Sequence, residues 1–499
     1  MVDRRHAQEF LSRLPRDDPF RTLEEISFWL KALRGAYGIS PQRTFEVVDV
    51  LDATARTPQR SLTSDFIALG SRYQKYQGQR VWNASFQFSR ELGATYEHLV
   101  HQYRQHAAGS DLLLPALPAI VSRAIRALRS ELKWSLLRQG PIDQMIWKLA
   151  GALYGYAEEN NFATESVRVY QDTRELSSVQ LEYLQALMLG VSATDTLPPE
   201  SVHLVEFLVE HCAEFFALER APKRGCQYYS DTLSGKPPAR LIERVAPASG
   251  IRYFGPDKAS TKVHRLIATI SERGMVPPEL NPGGAHKPDS ILDVLDHLVR
   301  YWGPTPPTRA SERQAALTRI SVVHNFDSIL AMVSGHSQEL DFDSDVEIWS
   351  VENESQGGYG ALVTETASEW VEIGSLLGIR EEEGASWGIG IVRRLSKPAA
   401  GSINVGIETL SRGVVKVGVT SSKASRRELN AQALLLLSSR EGSAHAGELM
   451  LMLPPGAFAI GRNLVMHAFD RTYLLVPKEL HESGNGYELG RFRLQSERV

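Results

Sequence analysis

Between Gly303 and Thr308 the chain reads Gly-Pro-Thr-Pro-Pro-Thr, and this stretch separates two kinds of sequence. Proline lacks the amide proton that a helix or a sheet ladder needs, and it biases the residue before it toward extended backbone. A helix therefore ends here, and the chain beyond must build its own core. Ahead of the break, apolar residues recur at helical spacing. Beyond it, short apolar runs alternate with glycine-rich turns. With 499 residues, the chain is also too long for one ordinary core, and roughly three domains are expected.

Residues 1–225 read as an all-α domain. Thr22-Leu-Glu-Glu25 has the form of a capping box, followed by Leu23, Ile26, Trp29, Leu30 and Leu33 on one face and Gly35 as a stop. Trp82, Phe86, Tyr96, Leu99 and Tyr103 mark a second, aromatic-rich helix. Further helices are predicted at 118–138, 145–161, 177–192 and 200–218. No fixed internal period supports a repeat array. Residues 226–303 read as a small α/β connecting domain, with strands at 239–245 and 250–254 and helices at 257–273 and from Ser290 to Trp302.

After the prolines, runs at 320–323, 329–333, 346–351, 360–363, 375–379, 388–394, 404–409 and 414–419 predict short strands. They define a small antiparallel barrel or sandwich over 304–424. Residues 425–499 open with a predicted helix and continue as strands at 448–453, 463–469, 472–476 and 487–494. They read as a β-rich extension or a second barrel. The fold class expected is a multidomain α+β protein.

Several function classes find no support. A formal net charge of −4 gives no global basic field, so neither nucleic acid nor an anionic membrane surface is an expected partner. No apolar run approaches the ~18 residues of a membrane span, and the charged start Met1–His6 is unlike a secretory signal. Cys212 and Cys226 form neither a metal spacing nor a disulfide framework, which fits a reducing cytoplasm. No metal or cofactor is expected. Asp341, Asp343 and Asp345 alternate like calcium ligands, but Val346 stands where such a loop needs glycine. Gly357-Gly-Tyr-Gly360 lacks the Lys-Ser/Thr pair of a phosphate loop, and no nucleophile constellation is present. A binding protein rather than an enzyme is expected.

Two short motifs carry a more specific chemistry. Arg309-Ala-Ser-Glu-Arg313 leaves the proline stretch, and Asn353-Glu-Ser355-Gln-Gly-Gly358 follows forty residues later. Guanidinium groups are always charged, donate in a planar fork and stack on aromatic faces, which suits phosphates and purines together. Asn353 and Ser355 are short polar side chains able to present hydrogen bonds from a strand. Gly357 and Gly358 let the backbone turn and allow a ligand to come close.

In this order, and with matching strands behind them, the motifs resemble the PilZ domain, a bacterial receptor for the second messenger cyclic di-GMP. That family's pattern is Arg-x-x-x-Arg, then Asp/Asn-x-Ser-x-x-Gly, on a six-stranded barrel. The segments Val371-Glu-Ile-Gly374, Ile389-Gly-Ile-Val392 and Ile403-Asn-Val-Gly406 resemble its later strands, so the likeness covers about 305–422. It implies that Arg309 and Arg313 hold phosphates and guanine faces. It implies further that Asn353 and Ser355 hydrogen-bond the ligand and that Gly358 shapes the turn. An acidic insert over 339–347 separates the two halves by more than the family pattern suggests. The expected function is a cyclic di-GMP effector in which Arg309 and Arg313 close over the ligand and change domain orientation. An unidentified protein partner, or a second copy of the chain, reads the signal through the helical region. The alternative is an adaptor of a motility, pilus or secretion assembly that binds no nucleotide.

Overall fold

The computed structural model describes residues 3–496 apart from 16, 70–74, 171–174, 243–244, 282–285, 306–313, 335–345, 365–369, 383, 385, 400, 422–428, 438–446 and 469–470. The chain forms two compact units, Met1–Thr308 and Arg309–Val499.

The first unit begins with the helices Arg4–Ser12, Pro19–Arg34, Pro41–Leu69, Lys75–Arg104, Leu117–Leu137, Gln144–Glu159, Val179–Gly190 and Pro199–His211. Leu117–Leu137 is the central one. Residues on every side of it are buried, and Lys75–Arg104, Gln144–Glu159 and Val179–Gly190 all pack against it. A four-stranded antiparallel sheet follows, in the order Ala217–Glu219, Ile251–Gly255, Tyr228–Asp231, Ala239–Arg240. Helices Lys258–Arg273 and Pro288–Trp302 complete the unit.

Several local expectations are corrected. The cap of the second helix is Asp18, whose side chain accepts from Arg21 N at 2.9 Å, so Thr22 is not the cap. Thr22 lies inside the helix, buried, with its hydroxyl donating to the Pro15 carbonyl at 3.2 Å. Helix Pro41–Leu69 carries Pro58 in its interior, which hides it from a periodicity reading. The helix predicted over 200–218 stops at His211, and Ala217–Glu219 is a strand.

The segment 226–303 is not a core of its own. One apolar core runs from Ala7 and Leu23 through Leu128 and Leu187 to Phe254, Leu295 and Trp302. Helix Pro288–Trp302 buries Ile291, Val294, Leu295, Leu298 and Trp302 on one face, and the Trp302 indole N–H donates to Ser192 Oγ at 3.0 Å. An amphipathic helix without enough apolar neighbours of its own buries its stripe against the nearest available surface. Here that surface is the helical bundle.

Charge is buried in this unit as well. Arg123, 3% exposed, donates to Asp49 at 2.8 Å, to the Val169 carbonyl at 2.6 Å and to the Tyr96 hydroxyl at 3.1 Å. Glu182 is fully buried and accepts from Arg126 at 2.6 Å and Ser177 at 2.8 Å. Removing one member of such a pair strands the other without water.

The second unit holds two closed six-stranded barrels. The first comprises β1 Gln314–His324, β2 Glu347–Ser355, β3 Gly358–Thr364, β4 Leu376–Glu381, β5 Gly388–Ala399 and β6 Ser402–Ser411. Its order around the barrel is β1-β2-β3-β6-β5-β4, closed by β4 on β1, antiparallel throughout. Ile320, Val322, Trp349, Val351, Ala361, Leu377, Val392 and Val405 fill its interior.

The second barrel comprises β7 Gly413–Ser421, β8 Asn430–Leu437, β9 Glu448–Leu453, β10 Leu464–Ala468, β11 Arg471–Gly484 and β12 Tyr487–Ser496. Its order, β7-β8-β9-β12-β11-β10, reproduces that of the first strand for strand. Residues 413–421, predicted as part of a barrel over 304–424, therefore open the second barrel, and the first ends at Ser411. The stretch around 430–437, predicted to begin as a helix, is β8. The extension is a second barrel.

The predicted strand at 329–333 is also corrected, because Phe326–Val333 is a helix. A five-residue apolar run fits either period. Asn325 decides it by accepting from Ser328 N at 2.9 Å as the N-cap. Phe326, Ile329 and Leu330 of this helix share a core with Leu376, Ile389 and Ile391 of the first barrel and Leu434, Met452, Tyr487 and Leu489 of the second.

Candidate functional site

The site is built on the outer face of the first barrel, where β2, β3, β6 and β5 run side by side. Tyr359, Ala361 and Val363 of β3 and Ile403, Val405 and Ile407 of β6 point into the barrel core. Because side chains alternate along a strand, Gly358 and Gly360 of β3 and Asn404, Gly406 and Glu408 of β6 face outward.

Asn353 reaches this face through a bulge. Val351 is interior, and Asn353, two residues on, would follow it inward in a regular strand. The register instead pairs Val351 with Ala361 and Asn353 with Gly360, so β2 holds one extra residue there. A bulge of this kind re-aims the next side chain to the opposite face. A Cβ on Gly360 would stand only 2.5 Å from Asn353 Oδ1, so this glycine is what lets the amide lie flat against β3.

Beyond Gly360 the row continues to Gly406 of β6 and to Arg394 of β5, since Gly360 pairs with Gly406 and Gly406 with Arg394. Two glycines in register form a row two strands wide between an amide and a guanidinium, with the Asn353 amide lying over Gly360. With strands ~4.8 Å apart, the row from Asn353 to Arg394 spans roughly 14 Å. Among the described residues, two buried acceptors border the row without a hydrogen-bond partner, Asn353 Oδ1 and, two residues along β6 from Gly406, Asn404 Oδ1. An unsatisfied buried acceptor costs free energy that a ligand's donor recovers.

The turn below the row is fixed by its own residues. Ser355 pairs with Gly358, and its hydroxyl donates to the Gly358 carbonyl at 3.3 Å. Gly358 has φ +152°, and a Cβ there would lie 1.9 Å from the Ile407 carbonyl, so only glycine fits. Gly357 accepts from Thr409 N at 2.9 Å. Between the two glycines of β3, the Tyr359 hydroxyl donates to Glu381 at 2.5 Å, and Arg412 donates to Glu381 at 2.5 Å and to the Tyr359 oxygen at 3.2 Å. Burial and the bond to Glu381 push the Tyr359 hydroxyl well above the ordinary tyrosine range, so it stays a donor.

The structure thus brings Asn353, Ser355 and Gly358 together on one strand pair. Arg309 and Arg313, and the acidic residues 339–345, lie outside the described residues. Gly360, Gly406 and Arg394 belong to neither sequence motif and complete the face all the same. Their only sequence signal is the glycine two places past the motif and the glycine of Asn404-Val-Gly406, and neither means anything until register sets them side by side.

A planar, hydrogen-bonding anion fits this face. Gly406 adds no side chain to the face, the two amide oxygens can accept from N–H groups, and the Arg394 guanidinium places positive charge at its edge. Among the described residues no group of histidine, cysteine, aspartate and glutamate side chains is placed to hold a metal ion, and no helix is long and apolar enough to cross a membrane.

Residues 5–223 match the family described as Cyclic-di-GMP receptor FimW, N-terminal domain, and residues 332–413 match Cyclic-di-GMP receptor FimW, middle PilZ domain. No curated protein and no solved structure matches the chain. The second match takes in β2 to β6 with Asn353, Ser355 and Gly358, and begins after β1 and the two arginines. The chain contains a PilZ domain, preceded by the N-terminal domain of a cyclic di-GMP receptor family.

Proposed function

We propose that this PilZ protein is itself a cyclic di-GMP receptor, with the ligand seated on the outer face of β2, β3, β6 and β5. The observation that carries the reading is the row Asn353–Gly360–Gly406–Arg394, a glycine floor between an amide and a guanidinium. A guanine base lies over Gly406 and against the Asn353 amide that covers Gly360, and its N–H groups donate to Asn353 and Asn404. Ser355 and Gly358 shape the turn beside it. Arg309 and Arg313 supply the charge for the two phosphodiesters and stack on the exposed base.

Each charge-assisted contact contributes about 1.5–3 kcal/mol. Two of them suffice to bias an equilibrium between open and closed arrangements of the arginine segment. That segment joins the two units, so its capture is the step that alters domain orientation and is read by a protein partner of the helical unit. The two buried free thiols, Cys212 and Cys226, suit a cytoplasmic setting.

Calorimetric titration of the full chain with cyclic di-GMP tests the reading. Saturable heat at micromolar ligand is expected, with affinity lowered strongly by Arg313→Ala and less by Ser355→Ala. No heat at high micromolar ligand sinks it and leaves the adaptor reading.

A further inference from the structure

Beside the glycine strip stands one guanidinium shared between the two barrels. Arg393 sits at a bulge in β5, between Val392, which pairs with Ile407, and Arg394, which pairs with Gly406. Its Nε donates to Glu408 Oε2 at 2.8 Å, and its two terminal nitrogens donate to Glu482 at 2.7 and 2.6 Å as a fork. Glu482 belongs to β11 of the second barrel and also follows a bulge, between Leu480 and Glu482. Two bulges, one in each barrel, therefore aim these side chains at each other. The Tyr487 hydroxyl, on a fully buried ring at the start of β12, donates to the same Glu482 oxygen at 3.0 Å and to the Gly374 carbonyl of the first barrel at 3.4 Å.

This cluster touches the ligand face directly. Glu408 points outward from β6 and pairs with Gly358, the last residue of the motif. Arg393 is thus one strand from the motif turn and next in sequence to Arg394. Two carboxylates around one guanidinium leave the cluster with one surplus negative charge. A ligand carrying two phosphodiesters, seated against Gly358 and Gly406, adds more. A phosphodiester presents oxygens to a guanidinium fork as a carboxylate does, so ligand and Glu482 compete for the same donors.

We propose that Arg393 is a further ligand-contacting residue, exchanged from Glu482 to a phosphodiester on binding, so that cyclic di-GMP loosens the hairpin between β11 and β12. The proposal rests on the receptor reading above and adds the second barrel as the part that senses occupancy. When Arg393 turns to the ligand, Glu482 loses its forked partner and Tyr487 its fixed acceptor. The hairpin tip at Gly484–Tyr487 is then held by fewer bonds, and local opening becomes easier.

The test combines titration with amide hydrogen exchange over 479–490, on the full chain with cyclic di-GMP. In the wild type, ligand raises exchange in this segment several-fold. Glu482→Gln removes the competitor, so it binds about three- to tenfold tighter, with exchange already raised and insensitive to ligand. Arg393→Gln binds about tenfold weaker, and ligand no longer changes the hairpin. Should Glu482→Gln fail to melt cooperatively, Glu482→Asp withdraws the carboxylate by one methylene and gives a smaller gain in the same direction. Binding by the wild type with unchanged exchange at 479–490, or a Glu482→Gln affinity at or below wild type, overturns this proposal alone. Absence of any binding by the wild type removes the receptor reading and this proposal with it.

Discussion

The two barrels have the same strand order and the same closure, yet their corresponding faces carry opposite kinds of side chain. In the first, the outer face of β3 and β6 carries Gly358, Gly360, Asn404, Gly406 and Glu408, a glycine-rich surface edged by polar groups, with the Asn353 amide over Gly360. The equivalent pair in the second is β9 and β12, and there Met452 and Leu489 are buried in the core shared between the barrels. One face is lined by glycine and polar groups, and its counterpart is closed by methionine and leucine. Topology therefore assigns neither role, and the side chains on the outer positions set the proposed binding face of one barrel apart from the bracing face of the other.

The comparison is broken most forcefully from the bracing side. Met452→Ala removes a fully buried side chain from the shared core and should cost about 2–5 kcal/mol in a denaturant melt, with cyclic di-GMP affinity within about twofold of wild type. A large loss of affinity would mean the second barrel's face is part of the site. On the binding side, Gly360→Val fills the strip and drives a side chain into Asn353, whose oxygen is 2.5 Å from the Cβ position. Titration should show an affinity loss of about 3 kcal/mol or more, with a cooperative melt retained, because the amide can swing away. Arg313→Ala should weaken binding by about 1.5–3 kcal/mol and leave the melting of apo protein nearly unchanged. Ser355→Ala loses a single hydroxyl whose bond to Gly358 is long, and about 1 kcal/mol of binding should go with it.

The smallest expected effect reads the joint between the barrels. Burial pushes the Glu482 carboxyl up, but the Arg393 fork outweighs it and holds the group below the usual carboxylate range. A depressed folded pKa gives stability that is present above the unfolded value near 4.5 and is lost as pH falls through the folded one. The stability difference between wild type and Glu482→Gln, about 1 kcal/mol at pH 7, should therefore shrink as melts are repeated toward pH 4 and below. A difference that grows on acidification would contradict this origin.

Much of the frame was legible in the sequence because it depends on local pattern. The helices around Trp29, Trp82 and Leu204 show their apolar stripes, and the strands after Thr308 show their alternation and glycine turns. The match to a PilZ domain was visible in Asn353, Ser355 and Gly358 with the strands behind them. What escaped depended on partners distant in sequence. Phe326–Val333 fits two periods until Asn325 caps it. Residues 226–303 look like a domain until their stripe is found in the helical core. Helix Pro41–Leu69 survives its internal proline because neighbours bury Val47, Val48 and Leu51.

By itself the sequence determined the class of each half, the break at the prolines and the residue types a nucleotide-binding turn requires, since these follow from backbone propensity and short-range spacing. Only the tertiary structure decided that Gly360 and Gly406 form one floor, that a bulge turns Asn353 onto it, and that Arg393 is held by a carboxylate 89 residues away. The reason is register. In a barrel, which side chains share a face is set by how strands align across hydrogen bonds, and a shift of one residue would send every one of these groups to the other side.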